Sequence, residues 1–457
     1  MQRRFCFAGL VLALAAWCVQ AAPTAPALQV APFAFTERTL DNGLRVIALE
    51  DHASPTVSIQ VWYHVGSKDD PPGRSGFAHL FEHMMFKATR YMKSEQFDRM
   101  TEDVGGFNNA FTADDVTAYH EVVPSNHLER LLWAEAERMA HLDVDEANFQ
   151  SERSVVQEEY RQRVLAAPYG RFFNGIAPAA YLKHPYKRPG IGSIEELQAA
   201  TLQDVIDFHR TYYRPDNATL VVAGDFEPRQ LQAWVDQYFA PVPRPERPIP
   251  RVTVAEPRWA RDRAAQITGP QVPLPAVALV WQAPPVGSAD TAALKVAAGL
   301  LSAGESSRLN QALVYRRRLA AQAGFEADLR AGPGLLIAYA MAAGGQALQP
   351  LARALESEVL RLARTPPTAA ELAKVKTQLL TQALTERQTP DGKAYALAEA
   401  AVLYGDAGKA NTLLGELQRV TAADVQRVMR RYVAGAHKVH LTYAQAADAA
   451  AKPGAAR

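Results

Sequence analysis

The sequence predicts an α+β chain of two similar domains, each a mostly antiparallel sheet with helices packed on it, joined by a linker. Three observations carry this expectation: strand patterns precede helical ones, the same order recurs later, and a proline-rich break separates the two series. At 457 residues the chain exceeds one typical core, since a prior of about 150 residues per domain suggests two or three.

The chain opens "MQRRFCFAGLVLALAAWCVQAAPTAPALQV": two arginines, an apolar run from Phe5 to Val19, then small residues. That pattern predicts a secretory signal peptide over 1–21, cut after Ala21, and the run is short for a membrane span. A retained anchor is the alternative. Both cysteines, Cys6 and Cys18, fall inside the leader, so the mature chain is expected to form no disulfide and to offer no thiolate. Loss of Arg3 and Arg4 takes the formal charge from +1 to −1, which points away from nucleic acid and anionic membranes. No later segment is apolar enough for a stable membrane span.

The first domain is expected over 35–240. Its "LRVIALE" and "VSIQVWYHV" alternate as strands about the turn residues "DNG". From Gly76 to His141 the pattern is mostly helical, broken by "EDVGGFNNAFTADDVTAYHEVVP", whose Thr, Val, Tyr and Phe suit two more strands. A helix follows from Asp145 to Val164, and "TLQDVIDFHRTYYRPDNATLVVAGDF" reads as helix, turn, strand. The linker, 241–257, is "PVPRPERPIPRVTVAEP", too rich in proline for a helix or a central strand.

The second domain, 258–446, repeats the order with "AVALVWQA", helices from Asp290 to Leu319, a strand near "GLLIAYAMAA", long helices from Leu348 to Arg387, and a last helix and strand. Thr201 opens "TLQDVIDFHRTYYRPDNATLVVAG" and Thr421 opens "TAADVQRVMRRYVAGAHKVHLTYA"; the two share Thr, Asp-Val, Arg and Tyr in one register.

Chemistry concentrates in "SGFAHLFEHMMFKAT", residues 75–89. His79 and His83 lie four apart, so a helix sets both imidazoles on one face, where they can share a zinc ion. Glu82 is placed to act on water beside such an ion as a general base. A third ligand is needed. Glu152 and Glu159 in "SERSVVQEEYRQ" are two turns apart on one face, with Val155 and Val156 expected to pack inward; chemistry alone does not choose among Glu152, Glu158 and Glu159. Shifted by the interval that separates Thr201 from Thr421, the motif lands near Ala298 to Ser302, without histidine, so one Zn2+ per chain is expected, in the first half.

"HLFEH" is the inverted zinc motif, and "GGFNNAFTADDVTAY", "ERSVVQEEY", "HPYKRPGIGSIEEL" and "SSRLNQAL" together resemble the pitrilysin, insulysin and mitochondrial-processing-peptidase superfamily over almost the whole mature chain. The resemblance implies half of a clamshell chamber, a periplasmic zinc metalloendopeptidase acting on a peptide substrate, and the zinc-bearing subunit of a pair. It implies His79, His83 and Glu159 as zinc ligands, Glu82 as the base and Glu152 as support. It also implies that Asn109, Ala110 and Phe111 lie on an edge strand that takes the substrate by β-augmentation. One departure stands out. After "SSRL" active members usually carry an Arg and a Tyr that stabilise the oxyanion, and here those positions are Val314 and Ala321. A homologous partner subunit supplying that Arg and Tyr is the expectation, a homodimer with weakened activity is the other explanation of the gap, and a non-catalytic scaffold or peptide-binding subunit is the alternative function.

Overall fold

Short β-branched and apolar runs assemble into two sheets in the computed structural model, which describes residues 29–446. The signal-peptide reading, with both cysteines, lies outside the described residues. Residues 33–446 form one unit. The first sheet contains β1 (Thr36–Thr39), β2 (Arg45–Glu50), β3 (Thr56–Tyr63), β4 (Phe107–Thr112), β5 (Thr117–Pro124) and β6 (Ala218–Gly224), in the order β1-β2-β6-β3-β5-β4. The second contains β7 (Arg263–Gly269), β8 (Ala276–Ala283), β9 (Ala320–Asp328), β10 (Gly334–Ala342) and β11 (Lys438–Gln445), in the order β7-β11-β8-β10-β9.

Each sheet has one parallel pair, β2–β6 and β7–β11, and is otherwise antiparallel. Apart from β1 the two topologies are the same. The starts of β3 and β8, and likewise of β6 and β11, are separated by the same interval as Thr201 and Thr421, so the repeat in sequence is a repeat in structure.

The first half contributes α1 (Phe77–Met84), α2 (Gln96–Glu102), α3 (Leu128–His141), α4 (Glu146–Tyr160), α5 (Gly170–Asn174), α6 (Ile176–Ala180), α7 (Ile194–Gln198), α8 (Leu202–Tyr212) and α9 (Pro228–Tyr238). The second half has α10 (Thr291–Ser302), α11 (Leu348–Arg364), α12 (Ala369–Glu386), α13 (Pro390–Leu403), α14 (Leu413–Arg419) and α15 (Ala422–Tyr432). The repeated threonines have one job. Thr201 and Thr421 each cap a helix, α8 and α15, by accepting from the N–H of Asp204 or Asp424, whose carboxylate accepts in return.

Each sheet buries both faces. One face of the first sheet packs Val57, Ile59 and Val61 against Phe77 and Phe81 of α1, Leu131 of α3 and Phe208 of α8. Its other face, with Trp62, Val221 and Ala223, is covered by Ala394, Leu397, Ala398 and Ala401 of α13, a helix of the second half. The second sheet reciprocates: Val277, Leu279 and Trp281 pack on its own helices, while Val280, Leu335 and Ile337 meet Phe172, Ile176 and Ala180 of α5 and α6 from the first half. The halves have exchanged helices.

The helical stretch expected from Gly76 to His141 is more broken than its periodicity suggests, with eight residues in α1 and seven in α2. Likewise α10 stops at Ser302, and a π-helical segment, Asn310–Arg316, follows after a loop. Residues 241–257 contain no helix or strand. No helix among the described residues is long and apolar enough to cross a membrane.

Candidate metal centre

Helix α1 carries the site, and its start is held from beneath. Gly76 has φ +93°, and a Cβ there would stand 3.0 Å from the Ile191 carbonyl oxygen; Gly192, at φ +80°, packs back on Ser75, so "SGF" and "GIGS" meet backbone to backbone. Asp70 accepts from the N–H groups of Gly76 and Ala78 at 2.7 and 2.9 Å, satisfying orphan donors of the first turn. Burial pushes the Asp70 carboxyl up to about 7.

One turn on, His79 and His83 meet edge to face, with ring centroids 5.0 Å apart. Glu159, in the last turn of α4, sends Oε2 to 3.5 Å from His79 Nε2 and 3.4 Å from His83 Nε2. Among the described residues these three are the one group of His, Cys, Asp or Glu side chains placed to share a metal ion. The fit can be tested on distance. Ligand atoms held at about 2.0–2.1 Å from one ion at tetrahedral angles stand about 3.3–3.4 Å apart. The observed separations match that edge, and two imidazoles with one carboxylate form a donor set that suits zinc.

The surroundings decide between the acids of α4. Glu158 is exposed and pairs with Arg161. Glu152 lies beside His83, its Oε2 3.6 Å from His83 Nδ1 and its Oε1 2.7 Å from Lys87 Nζ, and it stands outside the converging set. Arg163 takes the other oxygen of Glu159 at 2.6 Å, leaving Oε2 for the centre. Val156 is buried as expected, but Val155 is 45% exposed: adjacent helical positions differ by about 100°, and burying Val156 turns Val155 outward.

Burial pulls the His79 imidazole down to about 4, which keeps its lone pair free for a cation. Its Nδ1 is buried and unpartnered, so packing rather than a hydrogen bond orients the ring. Burial also works against protonated His83, but Glu152, Glu82 and Glu159 outweigh it and the net shift is upward. This end of the site draws positive charge.

The Glu82 carboxylate is not one of the three converging groups and accepts from Thr112 Oγ1 at 2.6 Å. Burial pushes its pKa up and the Thr112 bond opposes that rise. Thr112 ends β4, which hydrogen-bonds to β5 alone and so forms the edge of the sheet. Asn109, Ala110 and Phe111 lie on that edge; Phe111 faces Trp62 and Tyr395 on the side away from α1. Thr112 and Lys87 are not legible near the motif because their partners are distant in sequence, and Arg163 and Asp70 because an i,i+4 ion pair and a carboxylate capping a nearby helix start are ordinary local features.

In the second half, the positions that the repeat pairs with His79, Glu82 and His83 are Gly299, Ser302 and Ala303. A Cβ at Gly299 would meet Val375 at 2.5 Å, so the corresponding space is closed by packing. Val314 packs on the second core and Ala321 stands exposed on edge strand β9; neither has a donor side chain.

Comparison with known proteins gives two family matches: insulinase (peptidase family M16) over residues 45–192, and the peptidase M16 inactive domain over 199–379. Zinc protease PqqE of Helicobacter pylori is 33% identical over 344 residues, covering 74% of this chain and 77% of that protein. A solved protease from Helicobacter pylori superposes with TM-score 0.86 at 29% identity, over 90% of this chain and 99% of that one. The first half of the periplasmic protease PqqL from Escherichia coli shares the fold, with TM-score 0.72 at 20% identity, over 91% of this chain and 92% of that one.

Proposed function

The chain belongs to the insulinase (M16) family of peptidases, and from that membership we propose that it is a periplasmic zinc endopeptidase cleaving oligopeptides or unfolded segments. The observation that carries the reading is the convergence of His79 Nε2, His83 Nε2 and Glu159 Oε2 beside a separately held carboxylate, Glu82, next to a free sheet edge. When bound, zinc polarises a carbonyl and makes water nucleophilic near neutral pH. Glu82 takes the proton of the attacking water and returns it to the leaving amine. Glu152 steadies His83 through Nδ1. Strand β4 takes the substrate as an added strand through Asn109, Ala110 and Phe111, which gives sequence-tolerant affinity.

Val314 and Ala321 leave the oxyanion without the expected donors, and loss of one such donor costs about 10²–10³ in rate. A homologous partner subunit supplies them in this reading. The inactive-domain description attaches to 199–379, which crosses the 241–257 segment and leaves out His79, His83 and Glu159; this reading keeps the site in 35–240 and a support domain, 258–446, beyond the linker. Periplasmic location rests on the 1–21 leader pattern and accords with the fold shared with PqqL.

The test is Glu82→Gln in the chain purified from its host with any partner that accompanies it. Retained stoichiometric zinc with peptide cleavage abolished supports the reading. Full cleavage by the variant removes Glu82 as the base, and a wild-type chain that binds zinc but cleaves nothing with its partner present favours a peptide-binding subunit.

A further inference from the structure

We propose that Thr112 is a positioning residue that locks the Glu82 carboxylate and couples it to the strand along which substrate lies. The proposal rests on the reading of Glu82 as the base. Among the described residues Thr112 is the one hydrogen-bond partner of Glu82. A hydroxyl has one proton to donate. The alternative acceptor, the Ala78 carbonyl, is at 3.4 Å, whereas Glu82 Oε2 is at 2.6 Å and charged, so the proton goes to the carboxylate.

The position of that hydroxyl is over-determined. Thr112 pairs with Thr117 across the hairpin, and Ala113 donates to the Val116 carbonyl in the turn. Ser67 and Lys68 donate backbone N–H groups to the carbonyls of Ala113 and Asp114. Asp115 is gripped by Lys68 Nζ at 2.6 Å, Tyr186 OH at 2.5 Å and, from the second half, the Ala331 N–H at 2.9 Å. Arg330 reaches Asp114 at 3.1 Å. The β4–β5 turn is thus pinned on both flanks, and Thr112 brings that rigidity to a carboxylate carried on flexible torsions. Ala110 and Thr112 face α1 while the β4 backbone edge stays free, so one residue spans the base and the substrate strand.

The experiment compares Thr112→Val, which keeps the β-branched shape and loses the hydroxyl, with Thr112→Ser, which keeps the hydroxyl. A misplacement of about 1 Å at a reacting group can cost 10²-fold, so Thr112→Val is expected to lower kcat about 10- to 100-fold, with KM within about threefold and zinc content unchanged. Thr112→Ser restores kcat to within about threefold. A crystal structure of Thr112→Val shows the Glu82 carboxylate in more than one orientation. Wild-type kcat in Thr112→Val alongside an inactive Glu82→Gln overturns the positioning role and leaves the base intact. A single ordered Glu82 orientation in the Val variant, or equal losses for Val and Ser, overturns it as well. An active Glu82→Gln instead removes the reading on which it rests.

Discussion

Arg330 joins the two halves, and replacing it with Met tests how much that junction bears. Its guanidinium lies between Asp328, at 2.7 Å, and Asp114, at 3.1 Å, over the rings of Tyr186 and Tyr181 with centroids at 4.8 and 5.4 Å. The side chain is 12% exposed, and Asp114 and Asp328 are 26% and 23% exposed, so Arg330→Met leaves two largely buried carboxylates without their cation. Removing one partner of a buried pair costs about 3–5 kcal/mol; the residual exposure of both acids puts the expectation near the lower end, about 3 kcal/mol. With unfolding entropy of about 2.1 cal/mol/K per residue, a chain of this size should lose about 3–4 °C in Tm. Urea unfolding and calorimetry measure the change, and adding Asp114→Asn to Arg330→Met should recover part of it. A loss below about 1 kcal/mol, or no recovery in the double variant, would refute the argument that the guanidinium carries the junction.

Two further outcomes follow from contacts already described. Glu152→Gln keeps the shape but removes the charge beside His83 and Lys87, so zinc affinity, measured by chelator competition, should fall about 10- to 100-fold while the fold is retained; unchanged affinity would mean Glu152 does not orient His83. Glu371 is held to about 2, against 4.5, chiefly by bonds from Arg308 at 2.9 and 3.0 Å. As pH falls the unfolded chain takes up that proton first, so the contribution is present above about 4.5 and lost towards 2, and Glu371→Gln should flatten the slope of stability against pH across that window.

What could be read from residues alone follows physical lines. Strands β3, β6, β8 and β10 are central and apolar, and they announce themselves by composition. Strands β1, β7 and β9 are edges with alternating or small residues, "TERT", "RAAQITG" and "AAQAGFEAD", and they form because a neighbour offers a ladder. Helix α13 escaped notice because its alanines serve a sheet in the opposite half of the chain. At the site, the spacing of His79, Glu82 and His83 displays one helical face, whereas separating Glu159 from Glu158 needed family resemblance, and in the structure it comes down to one step of helical rotation. Thr112 is an ordinary strand residue until folding brings it to a carboxylate 30 positions away.

The exchange of helices between halves also sets a timetable for synthesis. The last strand of the first sheet ends at Gly224, but α13, which covers Trp62, Val221 and Ala223, is complete only at Leu403. At about 5–20 residues per second, that apolar face waits about 10–35 s for its cover. A nascent chain stalled in the 241–257 segment would therefore emerge with one layer of its core facing water, a natural surface for a holdase to grip until the second half arrives.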